Sequence, residues 1–162
     1  MTWIELFEEV AKLAPLGTAF IALGAVLIAW CAIRAQRDIA RRRAAIDFFL
    51  KIETDEKLIA IYETFKTEIR AVVNGAPMNT VVKSEHYGKV RFFLNLCELI
   101  AVGVRREAFS DQVSFHYWGD VLRNAFRDSK PLIDYVRSER GEGGPATYCD
   151  LEWLCNEWRD RS

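Results

Sequence analysis

Asn95 and Glu98 are the polar pair best placed for chemistry in this chain. They stand three residues apart in the apolar stretch from Val90 to Val104, and on a helix residues at i and i+3 share one side. A carboxylate there has two uses. Burial can raise its pKa and fit it for proton transfer, or it can cap or cross-link a neighbouring helix while Asn95 completes the hydrogen bonds. No nucleophile or metal-ligand set accompanies the pair, which favours the second use. The first defines a hydrolase working through Glu98, tethered to a membrane if the apolar run from Leu13 to Ile33 is a span.

A second group is basic. His86, Lys89, Arg91, Arg105 and Arg106, with Tyr87, form either a surface for an anionic ligand such as a signalling nucleotide or a solvated face. The run Gly141-Glu142-Gly143-Gly144 is glycine-rich, but a phosphate cradle needs a preceding strand and a following Lys-Ser/Thr pair. Pro145-Ala146 follows instead, so the run reads as a linker. The four cysteines, Cys31, Cys97, Cys149 and Cys155, include no C-x-x-C pair, and His86 and His116 are the only histidines. No metal and no cofactor are expected from this set. Cys97 and Cys155 read as small core residues.

The elements that position these groups begin with a span. Leu13 to Ile33 is a run of 21 residues without a charge. As a helix it measures about 31 Å, close to the roughly 30 Å of a bilayer's hydrocarbon core. Lys12 precedes it; Arg34, Arg37, Arg41, Arg42 and Arg43 follow. A cleaved signal would have a basic start, a shorter apolar run and a small-x-small site, and all three are missing. A soluble helix of this length would carry a polar stripe. The run therefore reads as a transmembrane helix.

Basic residues are retained on the cytoplasmic side. The five arginines outweigh nearby Asp38, whereas Glu5, Glu8 and Glu9 surround the start. The expected topology is single-pass in an inner membrane, N-terminus outside, C-terminal domain cytoplasmic. The arginines also suit anionic lipid, and they lie too near the bilayer to build a nucleic-acid groove. Trp30 fits the interfacial belt; Trp3 fits it only if the first turn folds back. Thr18, Ala22, Ala25, Ala29 and Ala32 recur at gaps of four and three, a small-residue seam along which spans can pack into a homo-oligomer.

The rest reads as helices. Neither Pro nor Gly occurs between Gly24 and Asn74, so the span continues through the arginines to Ile52. Thr54 is the expected N-cap of a helix carrying Leu58, Ile61, Tyr62, Phe65, Ile69 and Val72, closed by Asn74-Gly75. Residues 74–84 read as a loop. A central helix covers about 85–102, ended by Gly103. Ser110 caps a third over about 111–127. Lys130-Pro131 opens a short fourth. Thr147, with Asp150 three residues on, caps the last, whose inner face holds Leu151, Leu154, Cys155 and Trp158. Leu94, Cys97, Ile100, Phe115, Trp118, Leu122 and Leu154 are the expected core. The fold class is all-α: one N-terminal transmembrane helix continuing into a compact cytoplasmic domain of about five helices. The expected divisions are an external segment 1–12, the span 13–33, a basic juxtamembrane helix 34–53 and the helical domain 54–162.

The whole chain has net charge −1, and from residue 51 onward 16 basic residues face 18 acidic ones. The body is thus mildly acidic, and the basic excess sits in the arginine cluster beside the span.

Three segments carry a resemblance: Arg42-Arg43-Ala44-Ala45-Ile46-Asp47-Phe48-Phe49, then Leu94 to Val104, then Leu151 to Trp158. In this order they resemble the DUF4760 family of small single-span bacterial and phage membrane proteins. The N-x-x-E-x-I-A-x-G pattern of Asn95, Glu98, Ile100, Ala101 and Gly103 is its most specific part. The resemblance implies an anchored cytoplasmic helical domain without assigned activity, and it carries over no catalytic residue. The leading functional expectation is a non-enzymatic module for partner binding or sensing at the inner membrane. Its expected partners are lipid, further copies of itself, and a cytoplasmic protein or small ligand. The alternative is a ligand-gated, nucleotide-sensing membrane effector in phage defence.

Overall fold

Glycine and proline punctuate this chain less than their positions suggest. The computed structural model describes residues 3–139 and 144–161, with side chains at Trp3, over 17–138 and over 144–161. Six helices and no strand occur among the described residues: α1 Trp3–Thr54, α2 Glu56–Val73, α3 Met78–Val81, α4 Tyr87–Arg105, α5 Asp111–Glu139 and α6 Cys149–Glu157. The side chains of Glu5, Glu8, Glu9 and Lys12, and the linker residues Gly141 to Gly143, lie outside the described set.

The chain divides into two units, Met1–Ala40 and Arg41–Ser162. In the first, α1 already starts at Trp3, so residues 3–12 belong to the same helix as the apolar run. From Gly17 onward its most apolar window has mean hydropathy 1.9 and none of it is buried. Phe20, Ile21 and Ile28 are each more than two-thirds exposed. The helix is long and apolar enough to cross a membrane.

The second unit is built around α4. Val90, Phe93, Leu94, Cys97, Ile100, Ala101 and Val104 are buried, a 3.6-residue stripe wide enough to meet α2, α5 and α6. The end of α1 contributes Ala45, Phe49 and Ile52, spaced four and three. Phe49 stacks on Trp118 with centroids 5.8 Å apart. Six of the seven expected core residues are buried; Phe115 is half-buried and meets Trp158 edge-on.

Several boundaries differ from those expected. Asp55, not Thr54, caps α2: its carboxylate accepts from the N–H of Lys57 at 2.9 Å and Leu58 at 3.3 Å. Thr54 ends α1, its hydroxyl turned back to the Leu50 carbonyl. Residues 74–84 include the short α3, entered through Pro77, whose fixed φ suits a helix start. Gly75 does take the left-handed conformation, φ +87°.

Gly103 lies within α4. A Cβ there would meet the Phe109 ring at 2.3 Å, so the glycine serves close approach of the following turn. Pro131 does not open a new helix but sits inside the 29-residue α5. Its ring costs about 3 kcal/mol in a helix interior. Leu132 and Ile133, fully buried directly after it, contribute about 1.5–3 kcal/mol each and keep the helix unbroken. The Lys130–Asp134 ion pair at 2.6 Å bridges the same turn. α6 starts at Cys149 after Tyr148, which is left-handed (φ 59°, ψ 35°) and supplies no side-chain cap. The expected Thr147 cap is therefore replaced.

Candidate functional site

A nine-residue helix such as α6 is too short to persist alone, and its first N–H groups need acceptors. Glu98 provides them from α4. Its Oε1 accepts from Asp150 N at 3.2 Å and its Oε2 from Leu151 N at 2.7 Å. A carboxylate at a helix N-terminus also meets the positive end of the helix dipole. Both oxygens of Glu98 are thereby committed to backbone.

Charged neighbours surround this contact. Asp150 pairs with Arg105 at 2.5 Å, and the Arg105 guanidinium lies 5.2 Å from the Trp153 ring. Arg137 donates from Nε to the Thr147 carbonyl at 3.0 Å. Its Nη2 stands 2.8 Å from Glu152, at ion-pair distance but out of line for a hydrogen bond. At the other end of α6, Arg123 donates to the carbonyls of Trp158 and Arg161, each at 3.2 Å. The indole N–H of Trp158 donates to Asp111 at 2.8 Å. The last helix is thus held at both ends by side chains of α4 and α5.

Burial pushes the Glu98 carboxyl above its ordinary range. The N–H groups of Leu151 and Asp150 pull it back, the Asp150 carboxylate raises it and Arg137 lowers it. The Cys97 thiol is raised chiefly by burial, with Cys155 adding to it. Burial pushes Cys155 up to about 12 against the pull of Arg123. Neither thiol is a thiolate near neutrality, so both behave as small apolar residues.

Glu98, Cys149 and Asp150 also place one ligand atom each within 4.8 Å of one another. Glu98 already accepts two N–H bonds and Asp150 holds Arg105, so helix capping accounts for the grouping without an ion.

The other sequence candidates are distributed. Asn95 is exposed and makes no hydrogen bond to Glu98 among the described residues, so the expected pairing of the two heads does not form although they stand at i and i+3. His86, Lys89 and Arg91 stand at the start of α4 and Arg105 and Arg106 at its end. Sixteen residues of helix separate Lys89 from Arg105, about 24 Å, so they make no single surface. His86 lies 3.5 Å from Glu85, and Arg91 lies over Tyr87. In the arginine cluster Arg34 covers Trp30, with 5.4 Å from guanidinium carbon to ring centre. Arg37 and Arg42 are exposed, and Arg43 faces Asp47 at 3.9 Å. Arg41 is turned to protein: it pairs with Glu107, and its carbonyl accepts from Ser110 N at 3.3 Å. Thr18, Ala22, Ala25, Ala29 and Ala32 are all exposed.

Arg123 and Arg137, which fasten α6, were not singled out by sequence. A signal existed for Arg137. It falls four residues after Ile133 on the buried stripe of α5, where a charge needs a partner.

No curated protein and no solved structure matches the chain significantly. The three segments that carry the resemblance meet in one core, where Ala45 and Phe49 of α1, Leu94 and Cys97 of α4 and Leu151 and Leu154 of α6 are buried, and the last two are also joined through Glu98. The family model for the domain of unknown function DUF4760 matches residues 19–158, which take in Glu98 and the whole of α6, and the chain belongs to that family.

Proposed function

We propose that this protein is a single-pass inner-membrane anchor for a helical binding or sensing module, with its N-terminus outside and residues 34–162 in the cytoplasm. The observation that carries this is the unburied apolar stretch of α1, mean hydropathy 1.9, followed directly by arginines. Water is a poor solvent for a helix with Phe20, Ile21 and Ile28 all exposed, and lipid is a good one. Arg34, Arg37 and Arg42 suit the anionic headgroups of the cytoplasmic leaflet. The exposed seam from Thr18 to Ala32 suits packing of the spans into a homo-oligomer.

The commitment of both Glu98 oxygens to α6 favours a structural role for that carboxylate over proton transfer. That weighs against the hydrolase reading through Glu98 and leaves the binding or sensing module as the reading we favour.

Reporter fusions test the topology. A fluorescent protein fused after Ser162 should fluoresce and alkaline phosphatase at the same point should be inactive. Active phosphatase there would overturn the orientation. Changing all five arginines to glutamate should weaken or invert it.

A further inference from the structure

A cleft of about 380 Å³ lies between α5 and the end of α6. Arg123, Arg127, Lys130 and Arg159 line it together with Phe126, Cys155 and Asn156, and no carboxylate is among its lining residues. We propose that this cleft binds a phosphorylated small molecule of nucleotide size. The inference goes beyond the anchored-module reading and is independent of it, since every lining residue belongs to α5 or follows the start of α6.

The sequence spacing builds the cleft. Arg123, Arg127 and Lys130 recur at gaps of four and three, so they form one stripe of α5. Cys155, fixed in the core by its contact with the Leu122 carbonyl, brings Asn156 and Arg159 opposite that stripe. Arg123 is a positioning residue. One nitrogen serves the Trp158 and Arg161 carbonyls, just after α6, and the other Asp120. The remaining cations are held weakly. Arg127 pairs with its neighbour Asp128 at 2.8 Å, and Lys130 with Asp134 at 2.6 Å and more distantly with Glu152 at 4.0 Å, all partly exposed. Exposed pairs of this kind are worth about 0–1 kcal/mol, and a multiply charged phosphate outcompetes them. Arg159 donates to Asn156, and no carboxylate pairs with it among the described residues.

A neighbouring cleft shows the contrast. About 390 Å³ between α2 and α5 is lined by Lys66, Arg70 and Arg127, but Asp120 and Asp128 line it too and neutralise it. The α5–α6 cleft differs in that no carboxylate lines it; Asp120, Asp128, Asp134 and Glu152 pair with its cations from outside the lining. The arginine fork matches phosphate oxygens, the half-buried Phe126 gives an aromatic wall, and the volume falls in the roughly 300–1,000 Å³ range of small-molecule sites.

The test uses the full chain in nanodiscs of zwitterionic lipid, with labelled ATP measured by equilibrium dialysis. Saturable binding is expected, displaced by inorganic pyrophosphate but not by adenosine. Arg127→Gln with Arg159→Gln should weaken it at least tenfold. Lys57→Gln with Lys83→Gln, an equal loss of charge on exposed positions elsewhere, should change it less than twofold. Melting of each variant is followed in parallel, and Arg159→Gln alone, in an exposed turn, gives a second reading if the double variant unfolds. Adding phosphatidate to the discs separates the sources. Displacement of ATP by that lipid assigns a headgroup, and its failure to compete assigns a soluble phosphate. Absence of saturable binding of ATP, pyrophosphate and phosphatidate overturns the proposal. So does binding that the arginine variants leave unchanged, or retention of an RNA oligonucleotide alone. Membrane insertion, scored separately by fractionation, reports on the anchor and not on the cleft.

Discussion

The starts of α2 and α6 solve one problem in opposite ways. Both helices must satisfy their first N–H groups. At α2 the acceptor is Asp55, two and three residues from the donors. At α6 it is Glu98, 52 and 53 residues earlier in the chain. The local cap closes a turn whether or not the rest of the domain is folded. The remote cap exists only when α4 and α6 are already side by side, so it reports tertiary structure and rewards it. A short helix gains most from such an arrangement, because its own propensity contributes least.

If α6 is held from outside, its largest anchor should dominate. Trp158 is fully buried and hydrogen-bonded to Asp111. Trp158→Ala should cost about 3–5 kcal/mol in chemical denaturation of the full chain in micelles. A loss below about 1 kcal/mol would mean that α6 contributes little to the domain, and the comparison would break.

Glu98→Ala comes next, at about 1–3 kcal/mol, because it strands two amide N–H groups. Hydrogen exchange should quicken at Asp150 and Leu151. Glu98→Gln should cost less, keeping one acceptor oxygen. pH sharpens this further. The folded carboxyl titrates above its ordinary range, so its protonated form is favoured by folding. That contribution is complete below about pH 4.5 and is lost as pH rises through the folded pKa. The parent should therefore lose stability relative to Glu98→Gln across that interval. A gap independent of pH would reject the role of burial.

Asp55→Ala should cost about 1 kcal/mol, and its effect should stay at the start of α2. Thr54→Ala should change stability by no more than about 0.5 kcal/mol, since its hydroxyl serves only carbonyls of its own helix. The reverse order of these two would return the cap to Thr54.

The same contrast decides what could be read from sequence. Apolar periodicity was legible: Phe65, Ile69 and Val72 on α2, and Leu94, Cys97 and Ile100 on α4, are buried as their spacing predicts. The long uncharged run was equally plain. A polar group bridging two helices was also legible at Glu98 as a capping or cross-linking carboxylate. Its partner was not, because nothing within three or four residues of α6 encodes it. Pro131 misled because propensity is local, whereas the burial of Leu132 and Ile133 that overrides it is tertiary. The separation of Lys89 from Arg105 needed no structure, only helical rise. The Arg123, Arg127 and Lys130 spacing was visible too, but a stripe on one helix becomes a cleft only when a second element faces it.

Gly103 has a consequence for engineering. Replacing a helical glycine with alanine ordinarily gains about 0.5–1 kcal/mol, so a stabilisation scheme would change every such site. Gly88, exposed with nothing within 4 Å of an added methyl, follows that rule. At Gly103 the methyl would drive into Phe109, whose ring packs on Phe48 with centroids 5.0 Å apart. The added carbon would push a whole aromatic column, and the sign of the change reverses. Two glycines fifteen residues apart on one helix thus belong to opposite design rules, one set by chain entropy and the other by the thickness of a benzene ring.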